Sequence, residues 1–320
     1  MADRPTLWIS RRVSDATVLR ARRDYDVILN EADGLSTADD IVAMSAKVDA
    51  ILPCHSEVFS AAVAARLDPR LRIIANHSVG VDHCDLPALK ARGIAVTNTP
   101  DVLSDATAEI AMLLMIGAAR RAVEGDTLVR TGKWDRWSPS FMVGKQVSGA
   151  RLGIVGMGRV GRAFARKARG FDMDVHYFNR RRLPPELEQG ATFHDCLDSL
   201  LPVADFLSLH CPATPDTTGL MSADRFAMLP AGAVVVNTAR GALVDEGALI
   251  DALERGHVAA AGLDCFVTEP GGNPAFARFQ NVFMLPHIGS ATVATRDAMG
   301  FRALDNLDAF FAGKTPKDLL

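Results

Sequence analysis

Residues 151–161 have the sequence Arg-Leu-Gly-Ile-Val-Gly-Met-Gly-Arg-Val-Gly, in which a short apolar run leads directly into closely spaced glycines. Gly156, Gly158 and Gly161 have the spacing G-x-G-x-x-G, and a helix-like stretch, 162–169, follows them. A strand, a tight turn and a helix start in this order form the phosphate-binding turn of dinucleotide-binding domains. The free N–H groups at such a helix start face a pyrophosphate. We therefore predict a dinucleotide site here, rather than a tight turn without a ligand.

The segment after the next predicted strand, 174–178, bears on which dinucleotide binds. A site for NAD places an acidic residue about 20 positions after the glycines, whereas this chain has Asn179-Arg180-Arg181-Arg182. A carboxylate would repel a 2′-phosphate, and arginines bind one through charge-assisted hydrogen bonds. We predict that NADP(H) is preferred and that NAD(H) can also bind. The alternative is that the three arginines only form a solvated turn.

Short β-prone runs alternate with helix-like stretches over most of the chain, which predicts βαβ units and parallel sheets. In the first hundred residues the predicted strands are 6–10, 26–30, 50–53, 72–76 and 95–98. The later ones are 151–155, 174–178, 205–210, 233–237, 259–264 and 282–285. One long helix is predicted over 104–128 with Ser104 as its N-cap, and another over 245–255 between Asp245 and Gly256. A closing helix is predicted over 293–311.

The composition excludes several classes of protein. The 320 residues carry a net charge of −3, and the pI is near 6.2, so no overall basic field attracts nucleic acid or an anionic membrane. The five cysteines are scattered without a CxxC pair, which fits a reducing compartment. The first residues have no apolar signal segment, and no apolar run reaches the ~20 residues of a membrane helix. We expect a cytoplasmic protein.

A possible catalytic set follows the predicted strands of the second half, because ligands of open α/β sheets bind beyond the carboxyl ends of the strands. Arg240 can hold a carboxylate and polarise a carbonyl, and His287 can exchange a proton near neutral pH. Glu269 can orient the imidazole and favour its charged form. Taken singly, each could be structural: an ion-pair partner, a turn residue or a core histidine. Together they are the groups that reduction of a 2-oxo acid requires.

A metal site is the alternative for the segment around residue 80. His77, Asp82, His83 and Cys84 are close together in the sequence. Their spacing is not that of a standard zinc site, and no second ligand cluster is evident. We therefore predict no metal.

Three further stretches carry a resemblance to a known family. They are Thr-Ala-Arg-Gly at 238–241, Gly-Leu-Asp-Cys-Phe-Val-Thr-Glu-Pro at 262–270 and Leu-Pro-His-Ile-Gly-Ser at 285–290. They resemble the D-2-hydroxyacid dehydrogenases, and the resemblance extends from Ser-Val-Gly-Val-Asp at 78–82 to the final helix. The runs at 108–112 and 168–174 are similar to the branch of glycerate dehydrogenases and glyoxylate/hydroxypyruvate reductases. Asn179 departs from the family, which often has an acidic residue there.

The resemblance implies a role for each matching residue. His287 would be the general acid, Glu269 its partner and Arg240 the substrate anchor. The backbone of Val79 and Gly80 would bind the substrate carboxylate. The residues expected around the dinucleotide, including those assigned above from the glycine motif and the arginines, are Gly156, Met157, Gly158, Arg159, Val160, Gly161, Asn179, Arg180, Arg181, Cys211, Pro212, Thr217, Thr238, Ala239, Asp264 and Gly289.

The expected fold is α/β with two doubly wound parallel-sheet domains. A Rossmann coenzyme domain, 101–286, would be inserted in a flavodoxin-like substrate-binding domain made of 1–100 and 287–320. The irregular segment 131–149 contains Trp134 and Trp137 and resembles the arm that closes the family's homodimer, so we expect a homodimer. One of these tryptophans could enter the partner's active site, or both could anchor an apolar interface.

The expected activity is NADPH-dependent reduction of a small 2-oxo acid, of the glyoxylate or hydroxypyruvate type, to the D-2-hydroxy acid. Two alternatives remain. The substrate could be a larger aryl or branched 2-oxo acid, or the chain could be a dinucleotide-sensing binding protein of the same fold. The presence of Arg240, Glu269 and His287 together argues against the binding protein.

Overall fold

The computed structural model describes residues 4–320, which divide into two compact units. The first unit contains residues 4–103 and 291–320, and the second unit is Ser104–Ser290. Each unit has its own sheet, and all neighbouring strands in both sheets are parallel. The prediction of two parallel-sheet α/β units is confirmed.

The helices and strands follow one another in an alternating order. Up to residue 103 they are β1 (Thr6–Ile9), α1 (Asp15–Asp24), β2 (Asp26–Leu29), α2 (Ala38–Ser45), β3 (Ala50–Leu52), α3 (Ala61–Ala64), β4 (Ile73–Ala75), α4 (Leu86–Ala91) and β5 (Ala95–Thr97). The second unit contains α5 (Ser104–Ala119), α6 (Ala122–Arg130), β6 (Arg151–Val155), α7 (Arg159–Arg169), β7 (Asp174–Phe178), α8 (Pro185–Glu188), β8 (Thr192–His194), α9 (Leu197–Leu200), β9 (Phe206–Leu209), α10 (Ala223–Ala227), β10 (Ala233–Asn237), α11 (Glu246–Glu254), β11 (Val258–Leu263) and β12 (Val282–Met284). The closing helix is α12 (Val293–Phe311).

The sheet of the first unit has the strand order β2-β1-β3-β4-β5. Successive side chains of a strand point to opposite faces, and β1 shows this clearly. Leu7 and Ile9 pack in one core with Leu304 and Leu307 of α12, whereas Trp8 packs in the core on the other face. The closing helix therefore completes a core that the first strand begins.

The sheet of the second unit has the order β12-β11-β10-β9-β6-β7-β8. From β6 the chain extends the sheet to one side through β7 and β8, and then crosses back to β9 on the other side. This reversal is a topological switch point, where open α/β sheets bind ligands outside the carboxyl ends of the strands. The glycine-rich turn leaves the sheet at this point.

Two predicted helices have the expected ends. The Asp245 side chain accepts a hydrogen bond from the Ala248 N–H (3.0 Å) at the start of α11, and Gly256, just beyond its end, has φ +69°. The bounds 293–311 predicted for the closing helix are those of α12. Among residues 4–320, no helix is both long and apolar enough to cross a bilayer.

The single helix predicted over 104–128 is wrong, because the structure has two helices there, α5 and α6. At the end of α5 the Ala119 carbonyl accepts a hydrogen bond from the Lys145 N–H (2.8 Å), a residue far along the chain. Arg121 has a left-handed backbone (φ +55°), which turns the chain into α6. Ser104 is the first residue of α5 rather than its cap. The sequence prediction also lacked β8, whose three residues pair with β7 at the sheet edge.

Candidate active site

The glycine-rich turn between β6 and α7 is built so closely that only glycine fits at two of its positions. Gly156 has φ +95°, and a Cβ on it would lie 2.5 Å from the Cys211 nitrogen. A Cβ on Gly161 would lie 2.3 Å from the Gly156 carbonyl oxygen. Gly158, the N-cap of α7, has open space around its Cβ position. The turn therefore has the close packing and the open side that approach of a pyrophosphate requires, and its residues fit a dinucleotide.

The rest of the turn is held by a contact that the sequence did not reveal. Met157 is buried, and its N–H donates to the side-chain oxygen of Asn179 (2.7 Å), just beyond β7. Arg159 is exposed and Val160 is half-buried at the start of α7. Asn179 therefore fastens the end of β7 to the turn. An acceptor at this position could be anticipated from the asparagine, but its partner could not.

The three successive arginines after β7 differ in their surroundings. Arg180 and Arg181 are exposed. Arg182 forms two hydrogen bonds with the carboxylate of Glu188, Nε to Oε1 (2.8 Å) and Nη2 to Oε2 (3.0 Å). The sequence did not identify Glu188 as the partner of Arg182, because Glu188 lies in the short run Pro-Glu-Leu-Glu and belongs to no recognisable motif.

The loops after β9 and β10 lie beside the turn. The backbone of Cys211 is in the contact with Gly156 described above, and burial raises the pKa of its thiol to about 11. The Thr217 hydroxyl donates to the Pro212 carbonyl (2.8 Å), which holds the loop after β9 in a compact form. Thr238 is buried at the end of β10, and the Ala239 N–H donates to the side-chain oxygen of Asn237 (3.0 Å).

His287 and Glu269 form a close pair. His287 Nδ1 lies 2.6 Å from Glu269 Oε2, and the other carboxylate oxygen of Glu269 accepts a hydrogen bond from the Phe266 N–H (2.8 Å). The side chains are 29% and 23% exposed, so the imidazole is open to a ligand. A carboxylate fixed in this way holds the imidazole ring in one orientation.

Asp264 lies behind this pair, just beyond β11. One carboxylate oxygen accepts from the Ile288 N–H (2.8 Å) and the other from the Gly289 N–H (2.7 Å). The preceding residue, His287, has a left-handed backbone (φ +54°), which is unfavourable for a residue with a Cβ. Burial raises the pKa of Asp264, although the two N–H groups act in the opposite direction. Asp264 therefore clamps the loop that carries His287.

Arg240 lies in the loop after β10, beside the loop that carries Glu269. Its Nη1 donates to the Ala239 carbonyl (2.7 Å), and the Asn237 amide donates to the Arg240 carbonyl (2.8 Å). A Cβ on the next residue, Gly241, would lie 1.9 Å from the carbonyl carbon of Phe266. The two loops are therefore in direct backbone contact, and Arg240, Glu269 and His287 follow the neighbouring strands β10, β11 and β12.

Val79 and Gly80 belong to the first unit, in the loop after β4. The Val79 carbonyl accepts from the Asn98 amide (2.9 Å), and the Gly80 carbonyl accepts from the Ser78 hydroxyl (2.8 Å). Both residues are half-buried. With their carbonyls bonded inside the unit, the loop has a fixed backbone.

Comparison with known proteins gives the same family over nearly the whole chain. The family model described as D-isomer specific 2-hydroxyacid dehydrogenase, NAD binding domain, matches residues 112–289. Glycerate dehydrogenase of Hyphomicrobium methylovorum is 45% identical over 309 residues, which are 96% of each chain. Glyoxylate reductase of Thermococcus litoralis is 38% identical over 322 residues, 99% of this chain and 97% of that one.

A solved structure agrees with these relatives. It is the NADPH-dependent glyoxylate/hydroxypyruvate reductase of Sinorhizobium meliloti in complex with NADP and malonate. Its TM-score to this structure is 0.87 at 31% identity, and the match covers 99% of this chain and 97% of that chain.

Proposed function

Because the chain belongs to the family of D-isomer specific 2-hydroxyacid dehydrogenases, we propose that it reduces a small 2-oxo acid with NADPH, either glyoxylate to glycolate or hydroxypyruvate to D-glycerate. The observation that carries this proposal is the pairing of His287 Nδ1 with Glu269 Oε2 at 2.6 Å, on the sheet that bears the dinucleotide turn. Glyoxylate and hydroxypyruvate are named because the relatives act on small acids of this kind.

His287 acts as the general acid in this proposal. With Nδ1 engaged by Glu269, the proton on the other ring nitrogen, Nε2, passes to the carbonyl oxygen as negative charge develops there. When bound, the reduced nicotinamide supplies the hydride that the carbonyl carbon accepts. Glu269 keeps the imidazole ring oriented during the transfer through its contact with Nδ1.

The substrate is held by its carboxylate. Arg240 presents a planar set of donors, which suits a carboxylate and a polarised carbonyl oxygen. The backbone N–H groups around Val79 and Gly80 supply further donors in the proposal. The rigid backbone of that loop supports this role, because fixed donors need little rearrangement when the anion binds.

NADP(H) is the preferred dinucleotide in this proposal, with NAD(H) accepted more weakly. Asn179 places a neutral amide next to the turn, and Arg180 and Arg181 offer two exposed cations beside it. A 2′-phosphate gains charge-assisted hydrogen bonds from such cations and meets no carboxylate at residue 179.

The activity is tested with the purified full chain and a panel of 2-oxo acids, each with NADPH and with NADH. We expect the highest kcat/KM with glyoxylate or hydroxypyruvate and a ratio of NADPH to NADH above one. A higher kcat/KM with aryl or branched 2-oxo acids would replace the proposed substrate. Dinucleotide binding without turnover of any panel member would instead indicate a dinucleotide-sensing protein.

The cofactor preference has a sharper test in Asn179→Asp. An aspartate can still accept the hydrogen bond from the Met157 N–H, so the turn keeps its fastening, while a negative charge is added where the 2′-phosphate is proposed to bind. We expect the NADPH-to-NADH ratio of kcat/KM to fall by at least tenfold. An unchanged ratio would contradict the proposed position of the 2′-phosphate.

We also propose a homodimer that forms through the segment 131–149. Its support is the exposure of large apolar side chains in this segment, namely Trp134 (56%), Trp137 (78%) and Val143 (64%), with Val129 (63%) just before it in α6. Apolar surface of this kind is typical of an interface. Light scattering of the intact chain should give twice the monomer mass, and Trp137→Glu should shift the protein toward the monomer. A monomeric wild type would contradict the proposal.

A further inference from the structure

The segment between β7 and α8 is fastened at two places, and Arg180 and Arg181 lie between them. At the first, the Asn179 side chain accepts the Met157 N–H at 2.7 Å. At the second, the Arg182 guanidinium donates two hydrogen bonds, of 2.8 and 3.0 Å, to the carboxylate of Glu188. The two exposed arginines therefore belong to a short segment whose ends are both held.

Glu188 is unusual for a carboxylate on a short helix. Its side chain is only 7% exposed, whereas the Arg182 side chain is 65% exposed. A second donor reaches Glu188, because the Tyr177 hydroxyl lies 2.6 Å from Oε1. A buried carboxylate is costly unless its oxygens are all engaged, and here the guanidinium and the phenol engage both.

Tyr177 connects this carboxylate to the backbone of the segment. The Tyr177 ring on β7 is fully buried and packs at a tilt against the Phe193 ring on β8, with centroids 5.3 Å apart. Its oxygen donates to Glu188 and accepts the hydrogen bond of the Leu183 N–H (3.0 Å). The core of the sheet therefore fixes Tyr177. Tyr177 and Glu188 in turn fix residues 182–183, so buried contacts within the unit determine the path of the segment.

We propose that Glu188, Tyr177 and Arg182 form an anchor that positions Arg180 and Arg181 for the 2′-phosphate of the dinucleotide, and that Arg182 is itself not a phosphate ligand. The inference rests on the proposed preference for NADP(H). Its physical basis is pre-organisation: an arginine on a fixed backbone loses less conformational freedom on binding than one on a mobile loop.

The anchor and a simple electrostatic field predict opposite effects for Glu188. If the arginines acted only through their summed charge, removal of the negative charge of Glu188 would strengthen the binding of a phosphate. If Glu188 acts as an anchor, its removal frees the segment and weakens that binding. The sign of the change therefore distinguishes the two explanations.

The test measures ligand binding by titration calorimetry on the full chain, without turnover. The probes are adenosine 2′,5′-bisphosphate and adenosine 5′-monophosphate, which differ only in the 2′-phosphate. The variants are Glu188→Gln, Arg182→Gln, the double variant, and Arg180→Gln as a direct ligand change. Glu254→Gln is the matched control, because Glu254, on α11 toward the opposite edge of the same sheet, also forms an ion pair, with Arg278, and its change removes one negative charge.

We expect Glu188→Gln and Arg182→Gln each to weaken binding of the bisphosphate about three- to tenfold and to leave binding of the monophosphate within twofold. The double variant should be no weaker than the single ones, because both act through one contact. Glu254→Gln should bind both probes like the wild type.

Three results would overturn the anchor. Tighter binding of the bisphosphate by Glu188→Gln would favour the electrostatic field, and wild-type binding would show that Arg180 and Arg181 do not depend on Glu188. A loss in Arg182→Gln without a loss in Glu188→Gln would make Arg182 a direct ligand. If Glu188→Gln does not fold, Tyr177→Phe replaces it, and unchanged bisphosphate binding there would refute the anchor. Failure of the proposed NADP(H) preference looks different: the wild type itself would bind the bisphosphate no more tightly than the monophosphate.

Discussion

Asp264→Asn tests how the candidate acid, His287, is held in place. The aspartate accepts two backbone N–H groups, one on each oxygen, from the two residues after His287. Asparagine has a single acceptor oxygen, and its amide nitrogen would face the other N–H. The substitution therefore removes one of two hydrogen bonds while the shape of the side chain is retained.

The size of the effect follows from the burial of the site. Asp264 is 1% exposed, so the unpaired backbone N–H loses its partner away from water, at a cost of about 1–3 kcal/mol. Because burial raises the pKa of Asp264, loss of its charge offsets part of this cost. The left-handed backbone of His287 is itself unfavourable by about 1–3 kcal/mol. If the loop that carries His287 is destabilised by about 1–3 kcal/mol, conformers with a relaxed His287 backbone become populated. The fraction of molecules with the imidazole in its productive position then falls about 5- to 150-fold.

The assay combines steady-state kinetics and unfolding. We expect kcat for NADPH-dependent glyoxylate reduction to fall by that factor, with a smaller change in the KM for NADPH, and the free energy of unfolding in urea to fall by about 1–3 kcal/mol. Asp245→Asn is the matched control. That aspartate also accepts a backbone N–H, from Ala248 at 3.0 Å, but it caps α11. Asparagine caps a helix about as well as aspartate, so this control should leave both the free energy of unfolding and kcat close to their wild-type values.

Two outcomes would refute the clamp. If kcat is unchanged while the KM for NADPH rises, Asp264 serves the dinucleotide directly, as the family resemblance implied. If stability falls but both kinetic constants stay at wild-type values, the left-handed backbone of His287 does not depend on Asp264.

Three further predictions concern the acid, the turn and the first unit. His287→Ala should lower kcat by about 10²–10⁴-fold while calorimetric binding of adenosine 2′,5′-bisphosphate is retained, and near-wild-type turnover would refute its role. Gly161→Ala, whose Cβ would lie 2.3 Å from a carbonyl oxygen, should lower both the Tm and the dinucleotide affinity. Gly158→Ala, whose Cβ would have open space around it, should lower the affinity alone, and equal Tm values for the two variants would contradict the geometry. The Arg302 guanidinium holds the pKa of Asp318 below its usual 3.8, so this contact stabilises the fold above the unfolded-state pKa and is lost as pH falls through the lower folded-state pKa. Asp318→Asn should therefore lower the Tm by several degrees at pH 7, and thermal melts should show the difference shrinking toward pH 3; a constant difference would contradict the linkage.

The features that the sequence predicts well are those with local causes. The glycine turn needs a strand before it and a helix after it, and all three lie within twenty residues. The ends of α11 are marked by a capping aspartate and a glycine with positive φ, which act within one turn of the helix. Such signals survive tertiary packing because the same few residues supply both the signal and the structure.

The features that the sequence did not predict depend on partners far along the chain. At the break after α5 the Ala119 carbonyl accepts a hydrogen bond from the Lys145 N–H, and no residue near Ala119 in the sequence predicts that bond. Arg182 is equivalent to its two neighbours in the sequence, and only the fold brings Glu188 and Tyr177 against it. In the sequence Asp264 is only one acidic residue of a motif. Its role as an acceptor becomes visible in the fold, where the loop after β12 brings two backbone N–H groups to its two carboxylate oxygens.

The discontinuous first unit has a consequence for how the chain folds. Its core joins Leu7 and Ile9 with residues of α12, so that core cannot close during synthesis until the final helix has emerged. Bringing those two segments together across an unfolded second unit would cost about 5 kcal/mol of loop-closure entropy. Once folded, the second unit holds its own two ends side by side, because a Cβ on Gly289 would lie 3.2 Å from the Thr107 side chain. The folded second unit then connects the two segments of the first unit over a short distance, so most of the loop-closure entropy is no longer lost when the first unit forms its core. This favours an order in which the middle of the chain folds before its ends.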